Sequence, residues 1–211
     1  MKPRMWTLAA LLSSAALVAG IGAVWVRADV GPQQTDRLVE SDSTRSGDVL
    51  LPMPAMIRRF QATLPRVNAL GDGSAASRDA LVEAFAAAVE DSSAARLHRL
   101  RLDAAEFGWL YFPESRYTTK PYELPPETLW MLMDQNSRKA ETRLLRSFGG
   151  RPLGFAGYQC EAAPRREGPN RYWERCVVTL AGPEGRRRMR LFGSIMERDG
   201  RFKFVSIAND L

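Results

Sequence analysis

The chain has a single histidine, His98, and two cysteines, Cys160 and Cys176, in 211 residues. One histidine excludes a multi-histidine metal centre, and any Ser-His-Asp or Cys-His relay would have to run through it. Two cysteines with one distant histidine fall short of the four ligands of a structural zinc site. The Cys-x-x-Cys spacing of a thioredoxin-type pair is missing. Lysine is scarce too: Lys2, Lys120, Lys139 and Lys203 are four of 30 cationic side chains, and arginine supplies the rest. A base-composition bias explains that preference without a bidentate anion-binding role. No glycine-rich loop leads into a helix. "FGGRPLGFAGY" precedes a strand pattern, so neither a P-loop nor a dinucleotide fingerprint is present, and no motif calls for a cofactor.

One long apolar run is present. "MWTLAALLSSAALVAGIGAVWV", Met5 to Val26, carries no charge, and as a helix it would extend about 33 Å, enough to cross a bilayer. Lys2 and Arg4 precede it, which orients the remainder outside the cytoplasm. A secretory signal cut near Val26 to Ala28 is the alternative, although the run exceeds the roughly 7–15 residues of a signal's apolar core. Both readings export the rest. Residues 1–28 are therefore read as a signal anchor or transmembrane helix of a single-pass protein of the cell membrane, with a secreted or periplasmic form as the alternative. No cysteine follows the run to accept a lipid. Residues 29–76 read as a flexible linker with a short helix that places Met56, Phe60 and Leu64 on one side.

The spacing from residue 77 to 211 predicts an α+β domain, N-terminal helices packed on a curved antiparallel β-meander. Ser77 is a helix cap ahead of a stripe of Leu81, Val82, Phe85, Ala88 and Val89. Asp103 and Glu106 have the spacing of a capping box. A long helix over 127–147 places Leu129, Leu132, Met133, Ala140, Leu144 and Phe148 on one side and ends at Gly149 and Gly150. Beyond Gly150 the period becomes two. Four strand-like segments are separated by "PRREGPN", "GPEG" and "DG", all turn signals.

A hairpin folded about Gly168 sets Cys160 opposite Cys176, with Cα atoms expected about 4.5–5.5 Å apart, within reach of a disulfide. Export into an oxidising compartment favours the bond. Two reduced structural cysteines are the alternative.

The helices "RDALVEAFAAAVED" and "DAAEFGWLYFPES", a further helix, and a meander ending in "DGRFKFVSIANDL" resemble the nuclear transport factor 2-like superfamily, including its SnoaL-like members. The resemblance spans about residues 77–211 and is one of pattern, without a signature motif. It implies a curved sheet wrapped on helices, a cone whose mouth admits an apolar ligand. The long helix over 127–147 departs from that pattern.

Trp109, Tyr111, Tyr117, Tyr122 and Trp130 are the candidate ligand-binding residues, since aromatic walls with a few polar tips suit a small-molecule pocket. The competing account makes them core. Asp103 and Glu106 could serve as an acid/base pair, or only as a cap. Arg165, Arg166, Arg171, Arg175, Arg186, Arg187, Arg188 and Arg190 read as a solvated sheet face or a meeting place for anionic lipid or polysaccharide. Export argues against nucleic acid. The sequence thus points to a non-catalytic ligand-binding or protein-interaction module. Its expected partners are an apolar small molecule, an envelope protein or a second copy. A small enzyme using the cone pocket, with a carboxylate or a tyrosine in acid/base roles, is the alternative. Dimerisation through the sheet would leave Trp173, Val177, Met189 and Leu191 as an exposed patch.

Overall fold

A computed structural model describes residues 51–211, so the apolar run Met5–Val26 and the first part of the expected linker lie outside the described residues. Among the described residues no helix is long and apolar enough to cross a membrane.

Helices come first. Helix α1 spans Met53–Gln61, and α2 spans Arg78–Glu90, opened by Ser77, whose hydroxyl accepts a hydrogen bond from Ala80 N at 3.1 Å. Helix α3 spans Ala94–Arg99. The short α4, Ala104–Glu106, carries the reciprocal capping box of Asp103 and Glu106 and widens into a π-helical turn over Phe107–Tyr111. Helix α5, Pro126–Phe148, runs 23 residues.

The strands are β1 (Phe155–Gln159), β2 (Arg165–Glu167), β3 (Asn170–Trp173), β4 (Val177–Gly182), β5 (Gly185–Met189), β6 (Ile195–Arg198) and β7 (Arg201–Phe204). They form two antiparallel sheets, β1-β4-β5 and β2-β3-β6-β7. The fold is α+β as the sequence predicts, with four legs in meander order, but the first three legs each break into two strands. The second leg, for example, breaks at Arg175, which adopts a left-handed backbone with φ 50°. Short breaks of this kind turn one curved surface into two sheets. The last hairpin is closed by Asp199 and Gly200, both at positive φ (52° and 73°), the geometry "DG" favours.

Two apolar clusters hold the layers together. The first joins Leu81, Val82, Phe85 and Val89 of α2 to Ala140 and Leu144 of α5, to Val178, Leu180, Ile195 and Phe204 of the sheets, and to Leu191 between β5 and β6. The Phe85, Phe192 and Phe204 rings pack with centroids 4.6–5.5 Å apart, and burying each contributes roughly 1.5–3 kcal/mol. The second cluster includes Met53, Met56 and Phe60 of α1 with Phe107, Leu110, Phe112, Tyr172 and Met196. Phe60 meets Phe107 edge-on at 5.8 Å. A Cβ on Gly108 would lie 2.8 Å from Leu64 Cδ1, so glycine is what lets this segment approach so closely. The folded body therefore begins ahead of Ser77.

Three apolar positions, Leu191, Trp173 and Leu132, are placed differently from the sequence reading. Leu191 is fully buried in the first cluster, and Trp173 is partly covered by Phe202 and Arg78, so neither contributes to the outward patch that dimerisation through the sheet would need. Leu132 is 43% exposed, because the buried stripe of α5 runs through Leu129, Ala140 and Leu144 and leaves Leu132 on its outer side.

Cys160 and Cys176 form a disulfide, S–S 2.02 Å, sequence separation 16. It follows directly on the β1–β4 ladder, whose last pair is Gln159 with Val177. Their Cα atoms are 3.9 Å apart, closer than the expected spacing.

Candidate functional site

A cleft of about 210 Å³ opens between the start of α5, the π-helical turn and the inner side of β2 and β3. Its apolar wall comes from Leu129, Met133 and Val205, and its aromatic wall from Tyr111, Tyr117 and Tyr172. Arg116, Arg165, Glu167 and Glu174 supply the charge, with Ser194 and Ser206 at the side.

Arg165 organises the polar side. Its Nε and Nη2 donate to Glu174 Oε1 at 3.2 and 3.0 Å, and its guanidinium carbon lies 4.6 Å from the Tyr172 ring centroid. Nη1 forms an ion pair with Glu167. Both cleft carboxylates are thus engaged by one guanidinium. Arg116 lies against the Tyr117 and Tyr122 rings at 5.5 and 5.2 Å.

Two buried phenols face each other, with Tyr111 and Tyr172 ring centroids 5.9 Å apart in an edge-on contact. Burial pushes the Tyr111 hydroxyl far above its ordinary value, reinforced by Tyr172 and Tyr117. Burial and then Glu167 do the same to Tyr172. Both are neutral at physiological pH and offer hydrogen bonds rather than phenolate chemistry. Tyr172 Oη accepts from Asn170 Nδ2 at 3.1 Å, and the same amide nitrogen donates to Leu110 O at 2.8 Å. That ties the aromatic wall to the π-helical turn.

Of the five candidate residues, the cleft brings together Tyr111 and Tyr117. Trp130 instead packs on Phe107 at 5.2 Å in the second cluster. Trp109 is half-buried, with the Arg66 guanidinium 5.4 Å from its ring. Tyr122 is 55% exposed and touches the site only through Arg116. The strand residues Arg165, Glu167, Tyr172 and Glu174 were missed as site residues, although alternation along "RREGPNRYWE" does place every second side chain on one face.

The sequence's acid/base candidates have other partners. Glu106 and Asp103 form the capping box, Glu106 N donating to Asp103 Oδ1 at 2.8 Å and Asp103 N to Glu106 Oε2 at 3.0 Å. Glu106 also accepts from Gly71 N at 2.7 Å and from Lys203 Nζ at 2.9 Å. His98 lies at the α3 surface, where Arg101 Nη2 donates to its Nδ1 at 2.8 Å. A guanidinium has no acceptor, so the histidine must be neutral with its hydrogen on Nε2. Arg101, 2% exposed, also donates to Glu141 at 2.9 Å and Asp134 at 2.6 Å, which ties the segment after α3 to α5.

Compared with protein-family profiles, curated proteins and solved structures, the chain finds no match in any of the three.

Proposed function

We propose that this protein is a membrane-anchored, extracytoplasmic binding module without catalytic chemistry, which takes a ring-sized group into the Tyr111–Tyr172 cleft. The observation that carries the reading is the polar wall: Glu167 and Glu174 are both held by Arg165, while Arg116, which also lines the cleft and forms no ion pair among the described residues, is left to meet an incoming acceptor. Acid/base catalysis needs a side chain in the cleft that exchanges protons with the substrate near neutral pH, whereas Tyr111 and Tyr172 keep their protons there. Here His98 is elsewhere and Asp103 and Glu106 serve the fold.

The cleft's volume of about 210 Å³ falls below the roughly 300–1,000 Å³ of sites that enclose drug-sized ligands. That favours a single aromatic ring with an acceptor substituent, whether on a small molecule or on a side chain of an envelope protein. The Lys2–Arg4 flank and the apolar run Met5–Val26 support the anchor and the outward orientation. The order of helices before a bent meander supports a nuclear transport factor 2-like cone, in which this cleft would be the mouth.

The test is an aromatic-carboxylate fragment screen by two-dimensional NMR. Shifts should concentrate at Tyr111, Arg116, Tyr172 and Ser206, and Ser194→Trp, which fills the cleft, should abolish them. Binding that survives Ser194→Trp would place the site elsewhere.

A further inference from the structure

The strongest unassigned feature lies on the other sheet. Strand β5 is an edge of β1-β4-β5 among the described residues, and its Arg186, Arg187 and Arg188 are all exposed. Arg187 pairs with the buried Leu180, whereas Arg186 and Arg188 pair with Ala181 and Thr179. Successive residues point to opposite faces, so the arginines project from both sides of the edge. Among the described residues no carboxylate lies within 4.0 Å of any of the three, whereas the nearby Arg175 and Arg190 pair with Glu161 and Asp210. Charge on an edge strand does deter pairing with other chains. Three consecutive cations without counter-ions go further, because they set up an unneutralised positive strip.

Beside the strip is an open groove of about 360 Å³. Arg175, Arg188 and Arg190 rim it with Asp210, and Val177 and Met189 contribute an apolar surface. Cations beside an apolar floor match the phosphate and upper acyl region of a phospholipid. A polysaccharide or nucleic acid would use the charge but not the floor. Read as a tether, the 24 residues from Arg27 to Leu50 would span roughly 25–30 Å, which keeps the domain within reach of its own membrane.

We infer that the β5 edge docks on the anionic phospholipid surface of the membrane that anchors the chain. Arg186, Arg187 and Arg188 contact headgroup phosphates, and the Arg175–Arg188–Arg190 groove receives a lipid. The inference rests on the anchor reading but not on the cleft. Each arginine near an anionic surface strengthens association by roughly fivefold, so the three together supply on the order of a hundredfold. Salt screens such contacts.

The test places the full chain in nanodiscs of pure phosphatidylcholine and in discs of equal parts phosphatidylcholine and phosphatidylglycerol. Hydroxyphenylglyoxal modification of Arg186, Arg187 and Arg188 is read by mass spectrometry, with exposed Arg146 of α5 as reference. The expected result is several-fold slower modification at the three β5 arginines in anionic discs alone, relieved by high salt. Equal rates in both discs would overturn the docking surface. Protection in both discs would overturn it too, and would assign the arginines to the acidic tether residues Asp36, Glu40, Asp42 and Asp48. A chain that does not enter neutral discs refutes the anchor instead. The same footprint against added anionic vesicles then decides the docking edge. As a second readout, Arg186→Gln/Arg187→Gln/Arg188→Gln should lose the preference for phosphatidylglycerol vesicles while retaining fragment shifts at Tyr172.

Discussion

Lys203 Nζ sits 2.9 Å from both carboxylate oxygens of Glu106, with side-chain exposures of 3% and 2%. The contact joins β7 to the start of the π-helical turn, 97 residues apart in sequence, and Glu106 fills its remaining acceptor capacity with the backbone N–H groups of Gly71 and Asp103. It is a buried charge pair with every lone pair directed at a donor, so its removal one side at a time should be costly.

Lys203→Met leaves that carboxylate without its cation and is expected to cost about 3–5 kcal/mol. Adding Glu106→Gln removes the charge while keeping an oxygen for Gly71 N, so the double variant should be more stable than Lys203→Met alone. Urea unfolding at neutral pH measures both. Additive losses would mean that the two groups are not coupled.

The disulfide gives a second expectation. Cys160→Ala/Cys176→Ala opens a loop of about 15 residues and should lower unfolding free energy by roughly 3 kcal/mol. Reductant should shift the denaturation midpoint of the parent toward that of the variant and leave the variant unmoved. A parent indifferent to reductant, with alkylation showing free thiols, would remove the bond from the account.

The third concerns acid. Burial, then the neighbouring Arg101 and Arg138, holds His98 below its ordinary value of 6.5, against the weaker opposing pull of Asp134 and Asp103. The unfolded chain therefore takes up this proton more readily than the folded one. Stability is lost as pH falls below about 6.5, and the cost is fully present below the folded value. Glu141, across the same guanidinium, is pushed up by burial against the opposing pull of Arg101, so its contribution fades as pH rises. The Asp134 carboxyl is also raised by burial, but hydrogen bonds from Arg138 and Arg101 outweigh that and lower it, so its contribution is lost only in stronger acid. The informative comparison is with His98→Gln, which accepts from Arg101 but does not titrate. Thermal melts from pH 5 to 8 should show parent and variant running parallel above about 6.5 and the parent losing ground below it. Parallel curves throughout would refute the coupling.

What could be read from the sequence depended on whether the signal was local. Ser77 accepts from the backbone three residues on, and Asp103 and Glu106 cap each other, because these interactions close within a single turn. The cysteine pairing was legible because a hairpin converts sequence distance into register. The tip of that hairpin nevertheless pairs Glu167 with Asn170, one residue out of step with the β1–β4 ladder. An irregularity between tip and base absorbs the difference, and no residue announces it.

The aromatic cluster shows the opposite case. Trp109 and Tyr111 are two residues apart on a π-helical turn, yet one meets Arg66 and the other the cleft. Positions two apart on a helical turn face opposite sides by local geometry, but which side meets the cleft depends on how distant segments pack around Gly108.

The sequence by itself determined the caps, the turn residues, the order of helices before strands and the opposition of Cys160 to Cys176, because each depends on neighbours along the chain. The tertiary structure alone decided that Arg165 holds Glu167 and Glu174 beside Tyr172, that Lys203 neutralises Glu106, and that Arg186, Arg187 and Arg188 lie along one edge without carboxylate partners among the described residues. These relationships depend on how strands pair and pack against the helices. Burial and charge pairing are set by what arrives from elsewhere in the chain, and alternation of side chains along one strand carries no record of that.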